Sequence, residues 1–524
     1  MLLVIPFAAL VGAALALATA LKKPFELTLL PTIACSILIL FIAGLVGALP
    51  AARMGMIAAG LMTFIWVAVR HTNSLKTLLH PGPIICGTLL LVLAALKQNS
   101  ILVVWDEFSH WGRIVRYMTI TDAFPNQTSP VLFPDYPYGS ALFEYAMAIG
   151  NGLTESSWVF AANVLKVSGL LTLFSGLRWR DAMFLPAITA FVVLSPSVLP
   201  VLAADWGNLL IDFPLAVMTA GVIVIYLRGG ADTWSTALIV PIVAVLPLIK
   251  DIGLAFAMVS IVLIACDQCL LALKDRRLPW GSLAITAGAF ASVIVSRALW
   301  LWHLKNIHAQ STFILSTAQI NVRLHDPEFG AVLAGVADKL YEAIATVQIG
   351  STAITITQWV GLMLLLAFAG TMVSNDRWRA ISVGSMHMLL ALAFVLYVVF
   401  LLFLYLFSFG AYEAVRLAGF HRYASTFLML WTVVALALLI APHTSSSWKQ
   451  FASAAALTTF VALIAYRPAI TLRHHFSLQS NSERAERQLV KSALGDYQLR
   501  VPINSKVYSL WNDSTGLRFY TTLY

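Results

Sequence analysis

The sequence predicts an all-α polytopic membrane protein of about fourteen transmembrane helices, and three observations carry that prediction. First, 60% of the 524 residues are hydrophobic and only 11% are charged, with a mean hydropathy of +0.85; soluble domains carry about 25% charged residues. Second, the apolar residues come in long runs, many near the roughly 20 residues that a helix needs to cross a bilayer. Third, basic residues are shared unequally between alternate loops, as they are around membrane helices.

The predicted spans are 2–20, 28–49, 55–69, 84–104, 156–176, 182–201, 209–227, 235–249, 252–272, 281–303, 353–373, 381–408, 424–441 and 450–466. Lys250-Asp251 sets the boundary between the eighth and ninth, because an ionisable side chain at the bilayer centre costs about 2.5–3.5 kcal/mol on insertion scales. The N-terminal stretch MLLVIPFAALVGAALALATALKK carries its positive charges after the apolar run. It therefore reads as a first transmembrane helix rather than a cleaved signal. Cys35, Cys86, Cys266 and Cys269 all lie in apolar segments and read as small hydrophobes, with no disulfide framework or zinc site indicated. The net charge of +9 and pI near 9.4 fit basic cytoplasmic loops better than nucleic-acid binding.

Loop charge gives the expected orientation. One set of short loops holds thirteen basic residues, from Lys22 and Lys23 to Arg377, Arg379 and Lys449; the other holds Arg53, Lys250, Arg416 and Arg422. The first set is expected in the cytoplasm. WDEFSHWG (105–112), Lys250-Asp251 and residues 409–423 then face outward, together with the hydrophilic stretches 105–155, 304–352 and 467–524.

The first outer loop opens with DEFSHWGRIVRYMTI. Phe108, Trp111, Val115 and Met118 form an apolar stripe and Asp106, His110, Arg113 and Tyr117 a polar one, which predicts an amphipathic helix along the membrane surface. Asp106 could serve simply as the helix N-cap and Glu107 as a first-turn acid. Pro134, Pro137 and Gly139 then break helix, and Tyr136 and Tyr138 place phenols at the interface, where an aromatic belt would also put them. In the loop 304–352, Val332, Val336, Leu340 and Ile344 predict a second surface helix. Glu413, Arg416, His421, Arg422 and Tyr423 crowd the short loop 409–423. The tail 467–524 reads as a polar helix (SERAERQLVKSAL) followed by a hairpin turning at Asp513–Gly516, a small extracytoplasmic α+β piece. Neither an internal repeat nor a Walker or Rossmann glycine pattern occurs.

Adjacent carboxylates at a membrane face, with Lys and Arg brought there by distant loops, suit one chemistry. A carboxylate can take a proton from a hydroxyl nucleophile, while fixed cations hold the phosphate of a lipid-linked leaving group. Asp106-Glu107 after a transmembrane helix, Tyr136-Pro137-Tyr138-Gly139, Lys250-Asp251-Ile252-Gly253 and Arg422-Tyr423 follow one another in an order that resembles the membrane glycosyltransferases of the GT-C fold. That family includes the protein O-mannosyltransferases and the aminoarabinose transferase of lipid A. Here three additional spans, those within 1–83, precede the one that leads into the acidic pair, where the family has a single span, and Tyr138 stands where it often has a second proline.

The resemblance implies three regions: additional helices in 1–83, a GT-C-like catalytic core in 84–466 and the small segment 467–524. It implies transfer of a sugar from a polyprenyl-phosphate donor to an extracytoplasmic glycan, lipid or protein, with no nucleotide cofactor and no nucleic-acid partner. Asp106 would be the general base. Glu107 would orient the site or help bind a divalent metal, which some members use. Lys250 and Arg422 would bind the donor phosphate, with Arg416 as a helper and Tyr423, Tyr136 and Tyr138 lining the substrate site. His110 would bind substrate or ligate a metal, although a surface hydrogen-bonding histidine is the simpler reading, since one His near two acids is an incomplete ligand set. The expected setting is a bacterial inner membrane, with the active site facing the periplasm. Two other readings use the same charges: a transporter or flippase for a lipid-linked glycan, and a polysaccharide polymerase or ligase acting on a lipid-pyrophosphate donor.

Overall fold

A computed structural model describes residues 3–150, 152–181, 187, 205–309, 316–350, 352–374, 376–440, 447–464, 481–498 and 517–524. Among these helix is the regular secondary structure found, with one isolated antiparallel bridge between Gln348 and Thr355. Nine of the described helices are long and apolar enough to cross a membrane, and a tenth span results if the bent pair Thr72–Leu79 and Pro81–Leu96 counts as one. This is the architecture of a polytopic helical membrane protein. The span expected at 182–201 lies, apart from Ala187, outside the described residues.

Burial separates a central layer from a peripheral one. The helix Asp212–Arg228 is buried almost from end to end and packs against Glu155–Leu171, Thr233–Ile249 and Phe420–Ile440. These helices are largely apolar all round, and little of their surface is left exposed. The most apolar windows of the spans Glu155–Phe174 and Phe420–Ile440 are 94% buried, against 11% for Leu49–Arg70. Peripheral helices carry exposed Met62, Ile65, Val395 and Val399, the side chains expected against lipid.

Three expectations are corrected. The span drawn over 84–104 ends as a helix at Leu96, and residues 101–103 run without regular structure into Trp105. The helix expected along the membrane surface is instead two helices, Trp105–Ser109 and Trp111–Thr121, broken at His110 (φ −144°, ψ −63°). Half of its polar stripe is turned inward: His110 and Arg113 are buried together with Phe108, Trp111, Val115 and Met118, while Asp106 and Tyr117 stay partly exposed. At the C-terminal end, residues 517–523 form a helix rather than a strand. Tyr520 lies edge-on to Trp105 and Tyr524 to Phe108, at ring distances of 4.6 and 5.2 Å. That packing overrides the strand preference of a short Phe-Tyr-Thr-Thr run. The turn at Asp513–Gly516 lies outside the described residues, whereas the polar helix is found within Asn481–Gln498. The second surface helix is also present, at Phe329–Ala345, with Val336 buried on its inner side.

Candidate functional site

Four ionisable groups from four separate segments meet in an alternating chain. Asp106 lies in the short helix Trp105–Ser109. Asp212 is the first residue of the buried helix Asp212–Arg228, where the helix dipole favours an anion. Lys250 follows the last residue of Thr233–Ile249, where the dipole favours a cation. Arg422 is the third residue of Phe420–Ile440, at the end that disfavours a cation, so it depends on its anionic neighbours. Lys250 Nζ donates to Asp212 Oδ1 at 3.0 Å. Arg422 Nη1 donates to Asp106 Oδ2 at 2.8 Å. Arg422 Nε stands 3.6 Å from Asp212 Oδ2, an electrostatic contact too long for a hydrogen bond.

Burial is graded along the chain. The Asp212 side chain is 4% exposed, against 17% for Lys250, 19% for Asp106 and 27% for Arg422. Asp212 is thus the inner counter-ion of two cations, and Asp106, Lys250 and Arg422 are the more exposed members of the chain.

Aromatic rings floor the site. The Tyr423 ring carries Lys250 Nζ at 4.9 Å and the Arg422 guanidinium at 5.3 Å, within cation–π range. Tyr136 stacks on His110 with centroids 4.2 Å apart. His110 is held by a 2.6 Å contact between its Nδ1 and Ser109 Oγ. Burial, reinforced by Lys250 and Arg422, lowers its pKa well below the usual histidine range, so the ring is neutral at neutral pH. Burial also raises the Tyr136 phenol, helped by Tyr423, Asp106 and Asp135.

Two turns are set by close backbone approach. A Cβ on Gly139 would meet Leu248 O at 2.6 Å, and one on Gly253 would meet Leu246 O at 1.9 Å. Only glycine fits at either position. The first lets the Tyr136–Gly139 turn pack on the end of the helix that presents Lys250, and the second folds the chain back directly after Lys250. Asp251, next in sequence, pairs with Arg297 at 2.5 Å.

The expected residues therefore divide. Asp106, Lys250, Arg422 and Tyr423 come together, with His110 and Tyr136 beside them. Glu107 does not face the cations. It is fully buried and accepts the backbone amides of Val103, Val104 and Leu209 at 2.8–2.9 Å. The N-cap of its helix is Val104, so Asp106 is not a cap, while Glu107 reaches back to the cap amide. Tyr138 points away: its hydroxyl donates to Pro134 O at 3.1 Å and its ring packs on Trp300. Arg416 stacks on the exposed Tyr412 at 3.8 Å and also donates to the Tyr412 hydroxyl, and it is not part of the four-residue chain. Among the described residues no group of three or more His, Cys, Asp or Glu is placed to hold a metal ion.

Asp212 was not singled out in the sequence, although one signal was there. It is an acid inside a stretch otherwise apolar enough to read as a span, and such residues mark function. No family model, curated protein or solved structure matches the chain.

Proposed function

We propose that the protein is a membrane glycosyltransferase that moves a sugar from a polyprenyl-phosphate donor to an acceptor hydroxyl, on the side of the membrane that loop charge assigns as outward. The single observation behind this reading is the chain Lys250–Asp212–Arg422–Asp106, which sets an accessible carboxylate 2.8 Å from a guanidinium that shares its other counter-ion with a lysine. The resemblance of the surrounding motifs to the GT-C glycosyltransferases supports the same reading.

In the proposed reaction the two cation heads take the donor phosphate, while the prenyl chain stays among the apolar helices. The acceptor oxygen attacks the anomeric carbon as its proton passes to Asp106. The bond from the anomeric carbon to the phosphate oxygen breaks, and its electron pair leaves with the polyprenyl phosphate. Lys250 and Arg422 stabilise that developing charge in a partly desolvated site. Tyr423 positions both cations, and the His110–Tyr136 stack lines the acceptor side.

The test is consumption of a radiolabelled short-chain prenyl-phosphate hexose by the protein in liposomes. Asp106→Asn should lower sugar release by a factor of about 10²–10⁴, the usual contribution of a general base, without weakening donor binding. Lys250→Ala should weaken binding. Movement of intact donor across the bilayer with no sugar release would instead support a flippase and discard the transferase reading.

A further inference from the structure

We infer that a cavity between the helices Val4–Leu21, Pro81–Leu96 and Glu155–Leu171 is a phospholipid site, taking an anionic headgroup whose phosphodiester meets Lys97 and whose outer part carries free hydroxyls. None of the lining residues belongs to the chain Lys250–Asp212–Arg422–Asp106, and occupancy is independent of the reaction proposed above.

The cavity measures about 180 Å³, well beyond the roughly 10–15 Å³ that one water molecule needs. Its lining is divided. Leu3, Ala94 and Phe160 make an apolar part, while Lys97, Gln98, Ser156, Ser157 and Asn163 bring an ammonium, hydroxyls and amides. Three apolar helices have their ends here: the start of Val4–Leu21, the end of Pro81–Leu96 and the start of Glu155–Leu171. The first and third belong to candidate spans and the second to the bent pair that can make another. The ends of spanning helices lie at the depth of the lipid headgroups, and exposed Leu91 and Val92 show the helix Pro81–Leu96 turning a face to the bilayer. A cavity that is apolar in one part and polar in the other, at that depth, matches a lipid where its chains join its headgroup.

Lys97 supplies the charge selection. It is the C-cap of its helix and only 6% exposed. Its Nζ stands 3.9 Å from Asp205 Oδ1, an ion pair too long for a hydrogen bond. An ammonium has three donors, so Lys97 can take a phosphate oxygen while Asp205 stays beside it. Asp205 is held in place by the Gly207 amide, which donates to Oδ1 at 3.0 Å. Lys166 lies behind, within electrostatic range of both Asp205 and Lys97, so two ammonium groups share one ionised aspartate. Glu144 and Glu107 also act on Lys166, but burial pushes their carboxyls up to about 8 and about 7. At neutral pH Glu144 therefore keeps its proton and Glu107 keeps it part of the time. Glu155 is committed to Arg487. The surplus of positive charge suits a phosphodiester, as in other basic pockets between membrane helices.

The remaining lining chooses among headgroups. Ser156 and Gln98 can bond the hydroxyls of a glycerol headgroup, and Ser157, whose Oγ donates to Thr154 O at 2.6 Å, still offers acceptor lone pairs. A choline headgroup fits less well. The cavity lining holds one ring, Phe160, whereas a quaternary ammonium is usually held by a cage of several.

The test is a lipid titration of the delipidated full-length protein in detergent, read by native mass spectrometry. Dioleoyl-phosphatidylglycerol should bind tighter than dioleoyl-phosphatidylcholine by on the order of fivefold, the worth of about one lysine toward an anionic lipid. Lys97→Met should abolish that preference. Ala94→Leu, which fills the apolar part and leaves every polar group in place, should weaken phosphatidylglycerol binding. Lys22→Met removes an exposed charge outside the cavity and should change nothing. Bound phosphatidylglycerol should slow amide exchange in residues 96–99 and 155–157. Equal binding of the two lipids by wild type overturns the inference, as does a preference that survives Lys97→Met and Ala94→Leu. Equal loss in Lys22→Met would assign the preference to net charge, and slowed exchange confined to the loops assigned to the cytoplasm would place the lipid elsewhere; either result discards the site. Glycerol 1-phosphate that displaces the lipid at comparable concentration would make the occupant a soluble phosphoester and discard the lipid. The wild-type preference needs no variant to fold, and Ala94→Leu serves alone should Lys97→Met fail to give a monodisperse protein.

Discussion

The Glu107 carboxylate accepts the amide of Leu209, 102 residues away, at 2.9 Å. Its other oxygen takes the amides of Val103 and Val104, so one buried side chain sets the spacing between the turn that carries Asp106 and the segment that leads into Asp212. The two acids of the adjacent pair thus have separate tasks: Asp106 faces the cations and Glu107 holds the backbone that places it. Glu107→Gln puts an amide NH₂ against one of these backbone donors. It should lower stability by about 1–3 kcal/mol, the cost of leaving a buried donor unpaired. The melting temperature in detergent, read by tryptophan fluorescence, measures this.

The same residue gives a pH signature. Burial pushes the Glu107 carboxyl up to about 7, against three amide donors that pull it down. The folded state therefore holds this proton more tightly than the unfolded chain, whose carboxyl titrates near 4.5. Below pH 4.5 both states are protonated and Glu107 imposes no penalty. As pH rises toward 7 the unfolded chain ionises first, and the folded state loses up to about 3 kcal/mol relative to it. His110 acts in the opposite sense: its lowered pKa stabilises the fold above pH 6.5, and that contribution fades on acidification. The stability difference between wild type and Glu107→Gln isolates the first effect. Wild type should have its largest advantage near pH 4.5, and that advantage should shrink by pH 7; a constant gap would show that Glu107 is ionised throughout.

Lys166 is a second buried strut. It is fully buried, and its Nζ reaches Asp205 O at 3.0 Å, Asn208 O at 2.9 Å and Asn163 Oδ1 at 3.5 Å. Asn163 Nδ2 also donates to Trp206 O at 2.8 Å. Residues 205–208 have no regular structure of their own, so the helix Glu155–Leu171 supplies the partners their carbonyls need. Lys166→Met fills the space and leaves those carbonyls without a donor. It should destabilise by about 3 kcal/mol. In the proteoliposome assay it should also lower the turnover of a prenyl-phosphate hexose, because this segment leads directly into Asp212.

Much of the architecture was legible in the sequence because lipid imposes one rule, that a span be helical and apolar. Asp106, Lys250 and Arg422 could be grouped because each stands where an apolar run stops, and all three stops were assigned to one face. Asp212 could not be grouped this way, since the run 209–227 continues through it. Its role depends on where Lys250 and Arg422 arrive, which only the fold fixes. The separate tasks of Asp106 and Glu107 were equally hidden, because two adjacent acids look alike until the backbone direction around them is known. The helix at 517–523 was misread because its residues favour strand locally, while Trp105 and Phe108, which it packs on, are some 400 residues distant in sequence.

Gly253 offers a steric test. A methyl group there would lie 1.9 Å from Leu246 O and 2.5 Å from Leu246 C, both backbone atoms that cannot swing aside. Gly253→Ala should force the turn open, costing about 3 kcal/mol or more and displacing Lys250. Gly288 is the control, an exposed helical glycine with open space around its Cβ position. Gly288→Ala should be neutral or stabilising by up to about 1 kcal/mol. Parallel melts of the two variants separate a local clash from a general effect of adding a methyl group.

Arg487 ties the C-terminal helices to the segment that leads into Asp106. Its guanidinium makes two 2.5 Å bonds to Glu155 and a 3.0 Å bond to Leu102 O. Glu155 in turn accepts the Leu102 amide at 2.6 Å and the Tyr524 hydroxyl at 3.0 Å, and Arg484 donates to Asn99 O at 2.8 Å. The unstructured stretch before Trp105 thus finds its hydrogen-bond partners in side chains from elsewhere, and Arg487 is the link that engages both Leu102 O and the Leu102 partner. Removing one member of such a pair strands the other: Arg487→Ala should cost the local structure about 3 kcal/mol. Amide exchange in residues 99–109 should then rise on the order of a hundredfold, while the helix Asp212–Arg228 keeps its protection. Arg487→Lys should recover little of this, because an ammonium cannot make the paired bonds to Glu155 and still reach Leu102 O. Equal exchange in wild type and Arg487→Ala would mean that Glu107 alone suffices to hold the turn.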